Sequence, residues 1–355
     1  MKKRIIGMIM SMLMICSLVA CGNTDAETGE QAHDHTHNEM QENVNSGSSD
    51  VVELKLALSA HEGEAHYKAA EVFAKEVEQK SNGTLKVVLC GSNSLGDAKN
   101  MLSAMEQGSD LVDIVVTSVS DYSEIDARMD ISSLPFLFEN YEDAWWFLDG
   151  DIQKEIEQGI LEKNIRVLSY YCGGFDCITT GAKSINVAVE MQDLSLAVTE
   201  MDTATQGLQA LGARVKVMQE RQLMQVLDQN QCDGYAGSIA SVYKHHLYQV
   251  QERVSMTYHR YDAMAFAISE SVWKTLSAEQ REIVKNAALN SSYTDRELVR
   301  QQEKEMIDEM VSSGVKVYSP NLSSFREKVE SYIRNASSQY GILADRVIFE
   351  YLVEQ

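Results

Sequence analysis

Asp113-Ile114-Val115-Val116-Thr117 is a short, almost unbroken apolar run, and its reading decides the fold class. A run of this kind suits a strand covered on both faces, as in a parallel sheet, better than a strand with one wet face. Toward the N-terminus, a helix is expected from about Asp97 to Gln107, closed by Gly108, and Leu85 to Cys90 reads as another strand. Before these, Ala69, Ala70, Phe73 and Val77 follow helical spacing, and Ser81-Asn82-Gly83 stops that helix. Glu53-Leu54-Lys55-Leu56-Ala57-Leu58 alternates like a half-buried strand. Strand, helix, strand, helix, strand is the doubly wound α/β pattern.

The pattern returns further along. Val167 to Tyr171 and Leu194 to Val198 read as strands, followed by a helix from about Thr203 to Leu211. Val215-Lys216-Val217 is a short strand, with a helix from about Gln222 to Gln229 after it. His245-His246 is expected in a surface helix, and Trp145-Trp146-Phe147 in the core. From Ser277 to about Ser312 a helical stretch runs with few breakers and opens on the capping box Ser277-Ala278-Glu279-Gln280. Two doubly wound α/β domains with a spine helix along both would leave a cleft between them, where ligands commonly bind.

The N-terminus speaks to location. Lys2, Lys3 and Arg4 precede an apolar run from Ile5 to Ala20, which ends in Leu18-Val19-Ala20-Cys21. A basic start, a short greasy stretch and small residues at the cut make a secretion signal over residues 1–20. The run is shorter than the roughly 20 residues that span a bilayer. Its Leu-x-Ala-Cys ending resembles a lipobox, with Cys21 expected to be acylated and to hold the protein on the outer face of a membrane. Residues 21–50 read as a flexible tether, rich in Gly, Ser, Asn, Thr, Glu and Gln, with a reach on the order of 30 Å. The formal charge of −22 becomes −25 once Lys2, Lys3 and Arg4 leave with the signal. Such an acidic chain is a poor partner for nucleic acid.

Chemistry-bearing motifs are few. Cys90, Cys172, Cys177 and Cys232 have no C-x-x-C spacing; Cys172 and Cys177 could pair in an oxidising compartment, and four buried thiols is the equal alternative. His33, His35 and His37 alternate in the tether as weak metal candidates, so a metal-capture lipoprotein stays open as a second function; no other metal site or cofactor is indicated. No G-x-S-x-G elbow, P-loop or H-E-x-x-H is present, and a binding protein rather than an enzyme is expected.

Several segments, taken in order, resemble the solute receptors of TRAP (tripartite ATP-independent periplasmic) transporters, the DctP type. They are Ser94-Leu95-Gly96-Asp97, Gln107-Gly108 with Leu111 to Val115, Leu134-Pro135-Phe136-Leu137-Phe138 with Tyr141-Glu142-Asp143-Ala144, Asp233-Gly234, Leu247 to Gln251, and Trp273 before Leu276 to Gln280. The resemblance spans roughly residues 52–345. It implies a periplasmic-binding-protein-like pair of domains with crossover segments, 51–173 with 260–302 and 174–259 with 303–355. These would close as a monomer on one small solute and deliver it to an ion-driven permease. A receptor serving a sensor or an ABC-type permease is the alternative.

Departures from that resemblance set the expected ligand. Receptors of this kind typically hold a carboxylate with an arginine in a Lys-Ile-Arg-Val-Pro strand, which here is Ser195 to Thr199, with Ala197 at the arginine position. A second arginine after Gly-Phe is replaced by Asp176, an asparagine by Gly237, and an aromatic position by Glu220, followed by Arg221 as a possible substitute cation. Loss of guanidinium groups and gain of carboxylates disfavour a simple mono- or dicarboxylate and favour a neutral polyhydroxy or amine-bearing solute. Tyr235, Tyr258 and Tyr261 could stack on a sugar face or a cation. His61 and Glu62 after the first strand, and Asp97 and Ser118 near the ends of the next two strand units, complete the expected lining.

Overall fold

The computed structural model describes residues 51–336 and 340–348; the signal, Cys21 and the tether with His33, His35 and His37 lie outside the described residues. The first half runs β1 (Val52–Leu58), α1 (Ala65–Lys80), β2 (Leu85–Cys90), α2 (Ala98–Glu106) and β3 (Ile114–Ser118), then α3 (Tyr141–Leu148) and α4 (Asp151–Leu161). A long strand, β4 (Ile165–Thr180), leads to β5 (Ser195–Val198), α5 (Thr203–Ala210), β6 (Arg214–Val217), α6 (Glu220–Asp228), β7 (Gly234–Ser238), α7 (Ile239–Lys244) and β8 (Arg253–Ser255). The chain then returns through β9 (Tyr261–Ser269), α8 (Glu270–Thr275), α9 (Ala278–Ser312), β10 (Lys316–Tyr318), α10 (Leu322–Ala336) and α11 (Ile342–Ile348).

The main sheet has the order β2-β1-β3-β9-β4-β7-β5-β6, with β8 beside β4 and β10 beside β8. β1, β2 and β3 are mutually parallel, as are β5, β6 and β7. β3 is therefore buried between two neighbours, but one of them, β9, runs antiparallel to it. The two parallel groups are joined by β4, which pairs with β9 up to Phe175 and with β7 from Asp176 onward. Its register slips between Cys172 and Gly174, and Gly174 sits at φ +92°. Only a glycine takes that conformation without strain.

Side-chain alternation divides the core. Leu54, Leu56, Leu58, Ile114 and Val116 pack with Phe73 and Val77 of α1 and with Val284 and Ala288 of α9. Ala57 and Val115 face the opposite way, onto α2 and a cluster that includes Phe136, Phe138 and Phe147. A third cluster joins Cys177, Ala197 and Tyr235 to Leu223 and Leu227 of α6, Ile239 and Val242 of α7, and Met310 near the end of α9. α9 thus reaches both parallel groups. Its start is the expected capping box: Gln280 N–H donates to Ser277 Oγ at 3.1 Å, and Ser277 N–H donates to Gln280 Oε1 at 2.9 Å. At mid-helix, buried Asp295 accepts from Cys172 N–H at 2.7 Å and lies 2.7 Å from His66 Nδ1, tying the helix to the irregular part of β4.

Two local expectations change, and the open cysteine alternative resolves. Cys172 and Cys177 are free thiols: five residues apart on one strand is about 16 Å, beyond the roughly 7 Å that a disulfide bridges, and they face different clusters. Trp146 is 69% exposed, while Phe147 is buried and Trp145 donates to Tyr261 Oη at 3.0 Å. α7 ends at Lys244, and His246 turns the chain at φ +53°.

Candidate ligand-binding cleft

Parallel strands leave a crevice at their C-terminal ends, and the helices that follow begin there. β5, β7, α5, α6 and α7 obey this rule. Asp202 caps α5 by accepting Thr205 N–H at 2.7 Å, Glu220 opens α6, and Ser238 caps α7 by accepting Ser241 N–H at 3.2 Å. Helix N-termini favour carboxylates in their first turns. Across from them, the irregular part of β4 brings Gly173 and Asp176, and the start of β9 brings Arg260 and Asp262. These residues enclose a cavity of 130 Å³.

Its electrostatics centre on Arg260. Nε donates to Asp176 Oδ2 at 2.8 Å, and Nη1 donates to Glu200 Oε1 at 2.6 Å and Asp202 Oδ2 at 2.5 Å. Asp262 and Glu220 add two more carboxylates to the lining, so five acids face one guanidinium. Burial pushes the Asp176 carboxyl up to about 6, against the opposing pull of Arg260. Burial works against the Arg260 charge too, but Asp176, Asp262, Asp202 and Glu200 hold its pKa well above the ordinary arginine value. Burial likewise opposes the Asp202 charge, yet Arg260 and Thr205 hold its carboxyl below the usual range. Arg260 therefore has no positive charge to spare.

Two glycines let acids approach the strand. A Cβ on Gly173 would lie 2.4 Å from Asp262 Oδ2, and one on Gly174 would lie 2.4 Å from Glu303 Oε1. Asp262 is steadied by Ser118 Oγ, which donates to Oδ1 at 2.6 Å. Glu303 accepts from Tyr141 Oη, and burial raises its carboxyl to about 7. A wider cavity of 450 Å³ shares Gly173, Glu220, Ser238 and Ser241 with the first and extends to Glu64, His66, Lys244 and Glu303. Burial disfavours the charged form of His66, but its Asp295 partner outweighs this and raises its pKa.

The model of the bacterial extracellular solute-binding protein family 7 (DctP) matches residues 56–339. The chain belongs to that family. The family is one of extracellular solute-binding proteins, and its relatives here are binding proteins rather than enzymes. The sialic acid-binding periplasmic protein SiaP of Vibrio cholerae is 26% identical over 290 residues, 81% of this chain and 89% of its own length. The C4-dicarboxylate-binding protein DctB of Bacillus subtilis is 24% identical over 81% of this chain and 82% of its own. Among solved structures, a TRAP periplasmic solute-binding protein from Ochrobactrum anthropi superposes with a TM-score of 0.82 at 23% identity, covering 85% of this chain and 95% of its own. One from Chromohalobacter salexigens with bound D-glucuronate gives 0.76 at 21% identity, covering 85% and 100%. The α/β architecture is thus that of the two-domain DctP receptors.

Against the DctP expectations, the structure brings Asp176, Glu220, Tyr235 and Gly237 to one cavity. Asp176 is not a bare reversal of charge, because it is paired with Arg260. Ala197 lies beneath the cavity, not in its wall. It is the register partner of Tyr235 on the neighbouring strand, and both belong to the same buried cluster. Tyr235 Oη donates to Ser241 Oγ at 2.9 Å, and a Cβ on Gly237 would come within 2.1 Å of the tyrosine Oη. The tyrosine ring thus takes the space that a larger side chain at 237 would need. Ser118 acts through Asp262.

Others stand apart. Asp97 is exposed and caps α2, accepting Asn100 N–H at 2.9 Å. His61 and Glu62 are exposed in the turn after β1, with His61 Nδ1 2.8 Å from Ser92 Oγ; Glu64 and His66, a little further on, reach the cleft instead. Arg221 is exposed in an adjoining surface hollow that shares Thr199 and Glu220 with the cavity of Arg260, but it does not line that cavity. Tyr258 lies against Phe175, with ring centroids 4.6 Å apart, and Tyr261 is core. Sequence reading missed Arg260, Asp262, Glu200 and Asp202. The usable signal was Asp202 three residues before Thr205, a helix start; Arg260 precedes a strand of alternating small residues that gave no strand signal.

Proposed function

We propose that this DctP protein is an extracytoplasmic receptor, tethered through an acyl anchor on Cys21, that captures one small polar solute and passes it to a TRAP-type permease. The solute is amine-bearing or a neutral polyhydroxy compound, not a simple carboxylate. One observation carries the ligand class: the cavity's single guanidinium is already engaged by three carboxylates, within a lining of five. A carboxylate ligand would add a further anion to that set, and an uncompensated buried charge costs several kcal/mol. An ammonium or a set of hydroxyls gives the same oxygens the donors that they lack. SiaP is named for sialic acid and the Chromohalobacter protein holds D-glucuronate; a polyhydroxy body with its acid group exchanged suits a wall with five carboxylates and with Ala197 at the expected arginine position. The proposed lobes are 51–173 with 260–302 and 174–259 with 303–355, closing about Gly173-Gly174 and the chain before Arg260.

Thermal shift of the full chain against organic acids, sugars and polyols, amines and amino sugars tests this reading. A solute at 100 times its dissociation constant stabilises the fold by about 2.7 kcal/mol. Hits among amines or polyols are expected, and hits confined to organic acids overturn the ligand class. Separately, labelled palmitate should enter the protein in cells and be lost with Cys21→Ser; unchanged labelling in that variant would refute the anchor.

A further inference from the structure

His66, in the first turn of α1, lines the 450 Å³ cavity. Its imidazole is held on an edge and on a face. Nδ1 lies 2.7 Å from Oδ1 of Asp295, a fully buried carboxylate whose Oδ2 accepts the Cys172 N–H, and the ring stacks on Tyr171 with centroids 6.3 Å apart. An anionic Asp295 keeps the proton on Nδ1. Nε2, across the ring, makes no hydrogen bond among the described residues and is not enclosed, in a side chain that is 23% exposed. Glu64, two residues before, is engaged elsewhere: Oε2 accepts from His61 N–H at 2.9 Å and Oε1 from Lys244 Nζ at 3.4 Å. A ring oriented through one nitrogen presents the other to whatever enters the cavity.

Burial opposes the His66 charge, but Asp295, Asp262 and Glu64 together raise its pKa. A protonated ring donates from Nε2 and repels an ammonium. Lys244 adds a second cation to this cavity. This end of the cleft therefore suits an oxygen, while the five acids around Arg260 suit an amine. The two cavities share Gly173, Glu220, Ser238 and Ser241, so one solute can reach both.

Resting on the amine-bearing reading above, we infer that His66 is a specificity-determining residue whose Nε2 hydrogen-bonds a hydroxyl of the solute at the end away from its ammonium. Asp295 is the residue that positions the ring. The solute is then one that carries an amine and hydroxyls on one compact skeleton, as an amino sugar does, in preference to a plain amine or a plain polyol.

Titration calorimetry of the full chain tests this with glucosamine, with glucose, and with cyclohexylamine, an amine on a six-membered ring without hydroxyls. Wild type should prefer glucosamine to both others. In His66→Asn the amide nitrogen stands where Nδ1 stood and keeps the contact to Asp295, while Nε2 is lost. That variant should weaken glucosamine by at least about tenfold, as expected for one charge-assisted hydrogen bond, and leave cyclohexylamine within about twofold. A variant that weakens neither amine, or both alike, overturns the inference while the amine reading stands; so does equal wild-type affinity for the two amines. If His66→Asn does not fold, nitrogen-15 NMR of the wild-type imidazoles decides. Glucosamine should shift Nε2 of the ring whose Nδ1 is held by Asp295, and cyclohexylamine should not; the same response to both, or none, refutes the contact. If neither amine binds, or glucose matches glucosamine, this inference falls together with the amine half of the functional reading.

Discussion

At the residue scale, the cavity is governed by Tyr235 and Arg260. Tyr235 is the register partner of Ala197 on the neighbouring strand, and its ring occupies the room that a side chain at Gly237 would need. Gly237→Ala should therefore destabilise the protein by about 1–3 kcal/mol through overpacking. Combining it with Tyr235→Leu should recover part of that loss, which a double-mutant cycle in urea would show as a coupling of about 1 kcal/mol. Strict additivity would mean that the ring does not fill that space. That Asp176, Glu220 and Gly237 line one cavity was legible because a strand and an Asp-Gly turn flank them. That Ala197 lies under the wall, and that Asp176 is paired, depend on register and on a residue 84 positions away. No local pattern carries such information.

At the element scale, β4 does what two strands and a linker would do. Reading Val167 to Tyr171 captured its apolar middle, but the strand continues through Gly173-Gly174 to Thr180 because β7 and β9 pair with it in succession. Glycines normally mark a strand's end, and here tertiary pairing overrides that signal. α9, by contrast, was readable from its first residue to its last turn, since its cap and helical run are local. Gly174→Ala sets a side chain at φ +92° and against the Glu303 carboxylate. The substitution should cost about 1–3 kcal/mol, seen as a lower urea midpoint. A midpoint equal to wild type would show that the β4 irregularity has slack.

At the scale of the whole molecule, the parallel order and the long helix were legible from periodicity, while the return strand β9 was not, because Ala263, Ala265 and Ala267 carry little strand preference. The buried acids also set a pH response. Folded-state values raised to about 6 for Asp176 and Asp130, and to about 7 for Glu157 and Glu303, lie above those of an unfolded carboxyl. Such groups contribute stability below the unfolded value of roughly 4, and lose it as pH rises through the folded values. His66, also raised, acts in the same direction. Asp202 and Asp126, held low, act oppositely, but only under more acidic conditions. The unliganded protein should therefore melt at a higher temperature at pH 5 than at pH 8, and Asp176→Asn and Asp130→Asn should each flatten that slope; a Tm that rises over that interval would contradict this assignment.

Calorimetric titration of the full chain with matched solutes decides the ligand class. Each skeleton, short aliphatic chain or hexose, would be presented as amine, alcohol and carboxylate. Affinity should fall in that order on any skeleton that binds, because Arg260 is engaged by three carboxylates and the other charged groups of the lining are Asp262 and Glu220. A carboxylate that binds more tightly than its amine counterpart would contradict it, and would mean that Arg260 leaves Asp176, Glu200 and Asp202 to receive the ligand.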